Sequence, residues 1–265
     1  MSPPAASKNF RPRQPITTAL RQICEGYPPS SCLRELLQNA DDARATEIEF
    51  ILDTKSYPTE HLLHPQLADH HGPALLVRNN SVFQDDDFIS LSSIGDSGKR
   101  FDPSTIGKFG QGFNSVYHFT DNPWIISRNW LLMLDPHMGW SEQFRPGGPT
   151  WDIVENQQNQ EIQSHLRTLS KSNFTLGEEY PETTIRLPLR TATAANESKI
   201  VPKPVTVAEI QKHLDRFAET LKHGSLLFLR NIKSVVLRVD DTKFFAVSMD
   251  DSDAEVSKSV RDSQA

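Results

Sequence analysis

Cysteine is scarce in this 265-residue chain: Cys24 and Cys32 are the only two. So few thiols exclude a disulfide scaffold, and with no His or Cys around them at zinc-ligand spacing they exclude a structural zinc site too. Both are expected as reduced thiols. Positive charge is also short, 28 Lys and Arg against 34 Asp and Glu for a net charge of −6. That balance gives no global attraction to nucleic acid or an anionic membrane, so a bound anion would have to be held by a local arrangement of donors. No stretch approaches about 18 consecutive apolar residues, and Met1 to Gln14 is rich in Pro, Ser and Arg without an apolar core. Secretion and membrane spanning are therefore not expected. The expectation is a cytoplasmic protein, with the nucleus also open to it.

What is present is apolar material, 37% of residues, sufficient for one substantial core. Residues 1–14 and the Asp/Ser-rich end, 249–265, have the composition of disordered segments. Between them, helices are expected from Thr17 to Glu25 and from Cys32 to Ala45. Thr46 to Asp53 follows as a strand, with Ile48, Phe50 and Leu52 alternating against Glu47 and Glu49. Further strands are expected at Ala74–Arg78, Trp124–Ser127, Trp130–Leu134 and Thr183–Leu189. They follow one another mostly without an intervening helix, which predicts an α+β fold of two layers: a mixed, mostly antiparallel sheet with helices on one face. The polar stretch from Ser141 to Gly177 offers one weak helix, through Ile162, Leu166 and Leu169. The domain reading is a main unit at 15–190, a polar linker at 191–204, and a helix plus strands at 205–248 that begin a following unit. That last segment carries Val207, Ile210, Leu214, Phe217 and Leu221 at helical spacing, then strands at Leu226–Leu229, Val235–Val239 and Phe244–Val247.

Three segments carry chemistry. On the helix Leu33-Arg34-Glu35-Leu36-Leu37-Gln38-Asn39-Ala40-Asp41-Asp42-Ala43, Leu33, Leu36, Leu37 and Ala40 share one arc, while Glu35, Asn39 and Asp42 project within about 60° of each other on another. A solvated polar face is the plain alternative. The second segment, Ile106-Gly107-Lys108-Phe109-Gly110-Gln111-Gly112-Phe113-Asn114-Ser115-Val116-Tyr117, has three glycines in six residues ahead of an apolar pattern that suggests a helix start. Backbone N–H groups in that setting form a phosphate site, although a flexible turn has the same composition and Lys108 also reads as a surface lysine. The third is an apolar strand ending in Asn79-Asn80, where an amide can read an adenine edge or simply make a turn.

In this order the segments resemble the GHKL superfamily of Bergerat-fold ATP-binding domains, which includes gyrase, heat-shock protein 90, histidine kinases and MutL. They are closest to its sacsin branch. Glu35 to Ala43 is similar to that branch's N-box and Gly107 to Tyr117 to its second glycine box. Asp135-Pro136-His137 and Thr183-Thr184-Ile185-Arg186-Leu187-Pro188-Leu189-Arg190 also resemble its signatures. The resemblance covers roughly Ile16 to Arg190. It implies ATP or ADP as ligand and Mg²⁺ as its companion: Glu35 as general base for the attacking water, Asn39 as the Mg²⁺ ligand, and Asp42 in the pocket floor. It also implies Gly107, Lys108, Gly110, Gly112 and Phe113 around the phosphates, Thr183 beside the adenine, and Ser97, Gly98 and Lys99 in a lid.

One departure concerns the adenine. Heat-shock protein 90 reads the adenine amino group with an aspartate ahead of two glycines, whereas this chain has Asn79-Asn80-Ser81-Val82-Phe83. Asn79 can still accept through its carbonyl, though an uncharged acceptor binds less strongly than a carboxylate. In the family an arginine from a following domain assists catalysis, so slow turnover is expected in isolation. The function implied is Mg-dependent ATP binding and slow hydrolysis by a chaperone module with client or co-chaperone partners and a transient homodimer. The alternative is a nucleotide-sensing or pseudo-ATPase interaction module without turnover. Histidine-kinase, topoisomerase and mismatch-repair roles fit less well. No dimerisation helix with a phospho-accepting histidine precedes Cys32, and the acidic balance offers no basic stripe for a nucleic-acid partner.

Overall fold

The computed structural model describes residues 15–85, 87, 112–142, 148–169, 174–222 and 225–249. Helix α1, Ile16–Gly26, buries Thr17, Leu20, Ile23 and Cys24 on one side. Helix α2, Cys32–Asp42, buries Cys32, Leu33, Leu36, Leu37, Ala40 and Asp41. It stops three residues short of the expected end, because Arg44 turns into the left-handed region at φ 63°. There Ala45 N–H reaches back to Ala40 O (3.0 Å) and Arg44 N–H to Asp41 O (2.9 Å), a closure that satisfies the last carbonyls.

The strands are β1 (Glu47–Asp53), β2 (Ala74–Asn79), β3 (Trp124–Arg128), β4 (Trp130–Met133), β5 (Thr150–Asp152), β6 (Tyr180–Pro188), β7 (Ser234–Val239) and β8 (Thr242–Ser248). They form one eight-stranded mixed sheet in the order β5-β4-β3-β6-β2-β1-β7-β8. Every neighbouring pair is antiparallel except β1 and β7, which run parallel with Ile48 opposite Val235. The remaining helices are α3 (Gln160–Leu166), α4 (Ala192–Glu197) and α5 (Val207–Lys222).

One face of the sheet carries the main core. Ile48, Phe50 and Leu52, Leu75 and Val77, Ile185 and Leu187, and Val235 and Leu237 point toward α1, α2, the 3-10 helix Phe113–His118 and α5. The opposite face has a smaller cover, where Trp124, Ile126, Leu131 and Met133 pack with Leu67, Ile162, Leu166 and Leu169. Arg186, fully buried on that side, pairs with Asp53 at 2.9 Å and donates to the carbonyls of Thr168 (3.2 Å) and Gly72 (2.6 Å). Burial pulls its pKa down and the adjacent Asp53 carboxylate opposes that pull.

The expected division at residue 205 is not how the chain is built. β1 has β2 on one side only, and β7 fills the other; α5 lays Ile210, Leu214, Phe217, Ala218 and Leu221 into the main core. The Phe217 ring meets Phe50 edge-on at 5.2 Å. The strand expected at Leu226–Leu229 is a 3-10 helix, Ser225–Phe228, since Leu226 and Leu229 are buried three residues apart while Phe228 is exposed. The expected linker contains α4 and then a strap fastened at several points: Ser198 Oγ donates to Asp121 (2.9 Å), Lys199 N–H to His137 (2.9 Å), and Arg21 Nε to Lys199 O (2.9 Å). Of the helix suggested by Ile162, Leu166 and Leu169, the part through Leu166 forms as α3, started by Asn159, whose side chain accepts from Glu161 and Ile162 N–H, while Leu169 follows in a turn.

Candidate functional site

The expected site lies between α2 and the end of the glycine box. Buried leucines fix the rotation of α2, leaving Glu35 and Asn39 half-buried on a side that Leu36, Leu37 and Ala40 do not use. The chain meets this side at Gly112, which leads into the 3-10 helix Phe113–His118, where a helix was expected. The Glu35 carboxylate lies directly against Gly112: a Cβ built there would overlap Oε2 and stand 2.8 Å from Cδ. Phe113 behind it is fully buried in the main core. Glu35 has no hydrogen bond to another described residue. One turn along, the side-chain nitrogen of Asn39 is buried without a hydrogen-bond partner among the described residues. An orphaned buried amide is costly and calls for a partner. Its oxygen and nitrogen are interchangeable by a flip, so the atom calls for a hydrogen-bond acceptor in one orientation and for a donor or a cation in the other.

Asp42 is exposed and accepts from Gln38 at 3.2 Å, one turn back on α2. Its neighbour Asp41 carries the structural load. Buried, it accepts from the N–H groups of Arg230 (2.9 Å), Asn231 (2.6 Å) and Ile232 (2.9 Å), and so anchors the segment that enters β7. The sequence pattern does not single Asp41 out, yet it holds a signal: an acid about 40° from Leu37, at the edge of the apolar arc.

The third segment joins the same layer. Ser127, Thr183, Asn79, Ile48 and Val235 are register partners across β3, β6, β2, β1 and β7, and Ile48 and Val235 belong to the helix-side core, so the whole row faces the helices. Thr183 is buried and shares a 2.8 Å hydrogen bond with Ser127 Oγ, which accepts from Phe83 N–H (2.9 Å). Asn79 Oδ1 accepts from Ser81 N–H (3.0 Å), so one of its lone pairs is already used in a turn. Asn80 secures the start of β1, accepting from Thr46 N–H (2.8 Å) and Glu47 N–H (3.1 Å). Ser97, Gly98, Lys99, Gly107, Lys108 and Gly110 lie outside the described residues.

The Asp135-Pro136-His137 signature and the Arg190 end of the other serve a different place. A cavity of about 510 Å³, at the Pro188 end of β6 away from Thr183, is lined by Asp121, Asp135, His137 and Arg190 among others. Asp135 closes the turn after β4 by accepting from Trp140 N–H, Ser141 N–H and Ser141 Oγ. The Arg190 guanidinium is engaged throughout, with Asp121 (3.0 Å) and with the carbonyls of Tyr117, His118, Thr120 and Lys203. It thereby holds the far end of the 3-10 helix that begins at Gly112.

Fold and site together define an α+β domain in which helix α2 sets the Glu35 carboxylate against Gly112, with the Asn39 amide one turn further along the helix. The chain belongs to the Sacsin domain family, which matches residues 13–250. It is 35% identical over 241 residues to Sacsin of Homo sapiens, an alignment spanning 85% of this chain and 5% of that protein. The chain thus spans a small fraction of the length of the curated relative it matches. Among solved structures, the Aquifex aeolicus MutL ATPase domain complexed with ADP aligns at 10% identity and a TM-score of 0.41, covering 88% of this chain and 69% of that one.

Proposed function

We propose that this domain binds Mg·ATP between α2 and the glycine box and hydrolyses it slowly. The observation that carries the reading is the pairing of the Glu35 carboxylate against Gly112 with the orphaned Asn39 amide one turn further along α2. In this reading Glu35 accepts a proton from the water that attacks the terminal phosphorus, a role suited to a half-buried carboxylate with no described partner. Asn39 supplies an oxygen ligand for Mg²⁺, a hard cation that takes oxygen donors together with water. When bound, Mg²⁺ neutralises charge on the phosphate oxygens. Gly107, Lys108, Gly110, Gly112 and Phe113 receive the phosphates, and Lys99 belongs to a lid over them. Asn79 and Thr183, in one row on the helix side of the sheet, meet the adenine, with Asp42, expected in the pocket floor but exposed on α2, at the rim. The biological setting is a chaperone-type cycle in the cytoplasm, with a client or co-chaperone as partner and a transient homodimer.

A second reading, a nucleotide sensor without turnover, is favoured by one feature. The residue at the adenine position is Asn79, an uncharged acceptor whose carbonyl already serves Ser81. Calorimetric titration of Mg·ATP, with phosphate release measured alongside, separates the two. Hydrolysis predicts that Asn39→Ala weakens Mg·ATP binding about tenfold or more, and that Glu35→Ala binds nucleotide but releases no phosphate. Binding without phosphate release in the wild type leaves the sensor. No binding heat removes both.

A further inference from the structure

The glycine box ends at a residue whose backbone has no need of glycine. Gly112 adopts φ −60° and ψ −47°, ordinary right-handed geometry open to any L-residue. What excludes a side chain is space, since the three nearest atoms to a Cβ at this position all belong to Glu35: Oε2 in overlap, Cδ at 2.8 Å and Cγ at 3.3 Å. We infer that Gly112 is a positioning residue for Glu35: its bare Cα leaves the volume in which the carboxylate stands, and the end of the glycine box thereby fixes where the base is held. The inference rests on the hydrolysis reading for its catalytic consequence, and on the geometry alone for the contact.

Which side gives way when that volume is filled follows from how each is anchored. Gly112 is pinned, because its carbonyl accepts from both Ser115 N–H (3.0 Å) and Ser115 Oγ (2.7 Å), and Ser115 is fully buried. The backbone of α2 is equally fixed by the buried Leu33, Leu36 and Leu37. The Glu35 side chain is a flexible stem with no hydrogen bond to another described residue. A methyl group at 112 therefore swings the carboxylate aside and leaves the fold in place. Conversely, a displacement of the box at Gly112 moves the packing surface of the base, so phosphate capture by the box and placement of the base share one contact.

The test is a double-mutant cycle on the full chain: wild type, Gly112→Ala, Glu35→Ala and the double variant, with thermal midpoint, Mg·ATP affinity and phosphate release measured on each. Alanine keeps the backbone N–H through which residue 112 would meet the phosphates, so Gly112→Ala is expected to lower the phosphate-release rate about tenfold or more while changing Mg·ATP affinity less than about threefold, the split that misplacement of a base produces. It is also expected to lower the midpoint by about 2–4 °C when Glu35 is present. In the Glu35→Ala background the same change is expected to be neutral or stabilising, since alanine suits this backbone. An equal midpoint change in both backgrounds overturns the contact. Affinity lost in step with turnover overturns the positioning role, because the glycine would then act through the phosphates. A wild type that releases no phosphate defeats the hydrolysis reading, and the midpoint cycle still decides the contact by itself.

Discussion

Asp41 and Asp42 are adjacent in sequence and have opposite duties. Asp41 is buried with three backbone N–H donors, whereas Asp42 is exposed with one contact to Gln38. Truncating Asp41 strands three buried donors at the entrance to β7, and Asp41→Ala is expected to cost about 2–4 kcal/mol in urea unfolding. Asp42→Ala should stay within about 0.5 kcal/mol of wild type while weakening Mg·ATP binding. The reverse order of stability losses would contradict this division between anchor and rim. The two arcs of α2 were legible in the sequence because its apolar and polar residues separate at helical spacing, whereas the N-box reading of the polar arc came from the resemblance. The separate duties of its two aspartates were not, since they depend on a segment 190 residues further along the chain.

The elements read well where periodicity is local and poorly where pairing is distant. β1, with its alternation from Glu47 to Phe50, and α5, with its stripe, are both visible in the sequence. Nothing in either shows that the strand after α5 closes beside β1. That pairing decides whether the segment 205–248 is an appendage or part of the core, and only the sheet register reveals it. The three-residue β5 and the 3-10 helix Pro65–His71 are too short to leave a periodic signal. Phe217→Ala tests the integrated domain, because the ring it removes packs on Phe50 of β1. A loss of about 3–5 kcal/mol in one cooperative unfolding transition is expected. Two transitions, with the larger one unmoved, would restore the separate unit.

Across the whole molecule, the cover on the second face depends on neutral histidines. His165 and His71 are buried and joined at 2.9 Å. His71 Nδ1 donates to Pro58 O (2.7 Å), so its Nε2 accepts from His165 Nδ1–H, and His165 Nε2 accepts from Leu63 N–H (3.3 Å). Every ring nitrogen is used and an added proton would face another N–H. Burial accordingly pushes His165 down to about 3, with the neighbouring His71 and His70 adding to the shift, and it lowers His71 as well. Because the folded values lie below the ordinary 6.5, the unfolded chain binds more protons as pH falls beneath that point. The stabilisation is complete above about pH 6.5 and is lost on going down, by about 1.4 kcal/mol per pH unit for His165. Urea unfolding from pH 7.5 to 5 should show this slope together with that of the other lowered histidines, and His165→Gln should reduce it by about 1.4 kcal/mol per pH unit; a wild-type profile without slope would contradict it.

For the domain as a whole, the proposal is that α2 meets a nucleotide beside Gly112. The most direct measurement is the side-chain amide resonance of Asn39, assigned by its disappearance in Asn39→Ala and followed by NMR during titration with Mg·ATP. This pair of signals is expected to shift in step with saturation, as the buried amide gains its partner. An Asn39 amide unmoved at saturating nucleotide would contradict it.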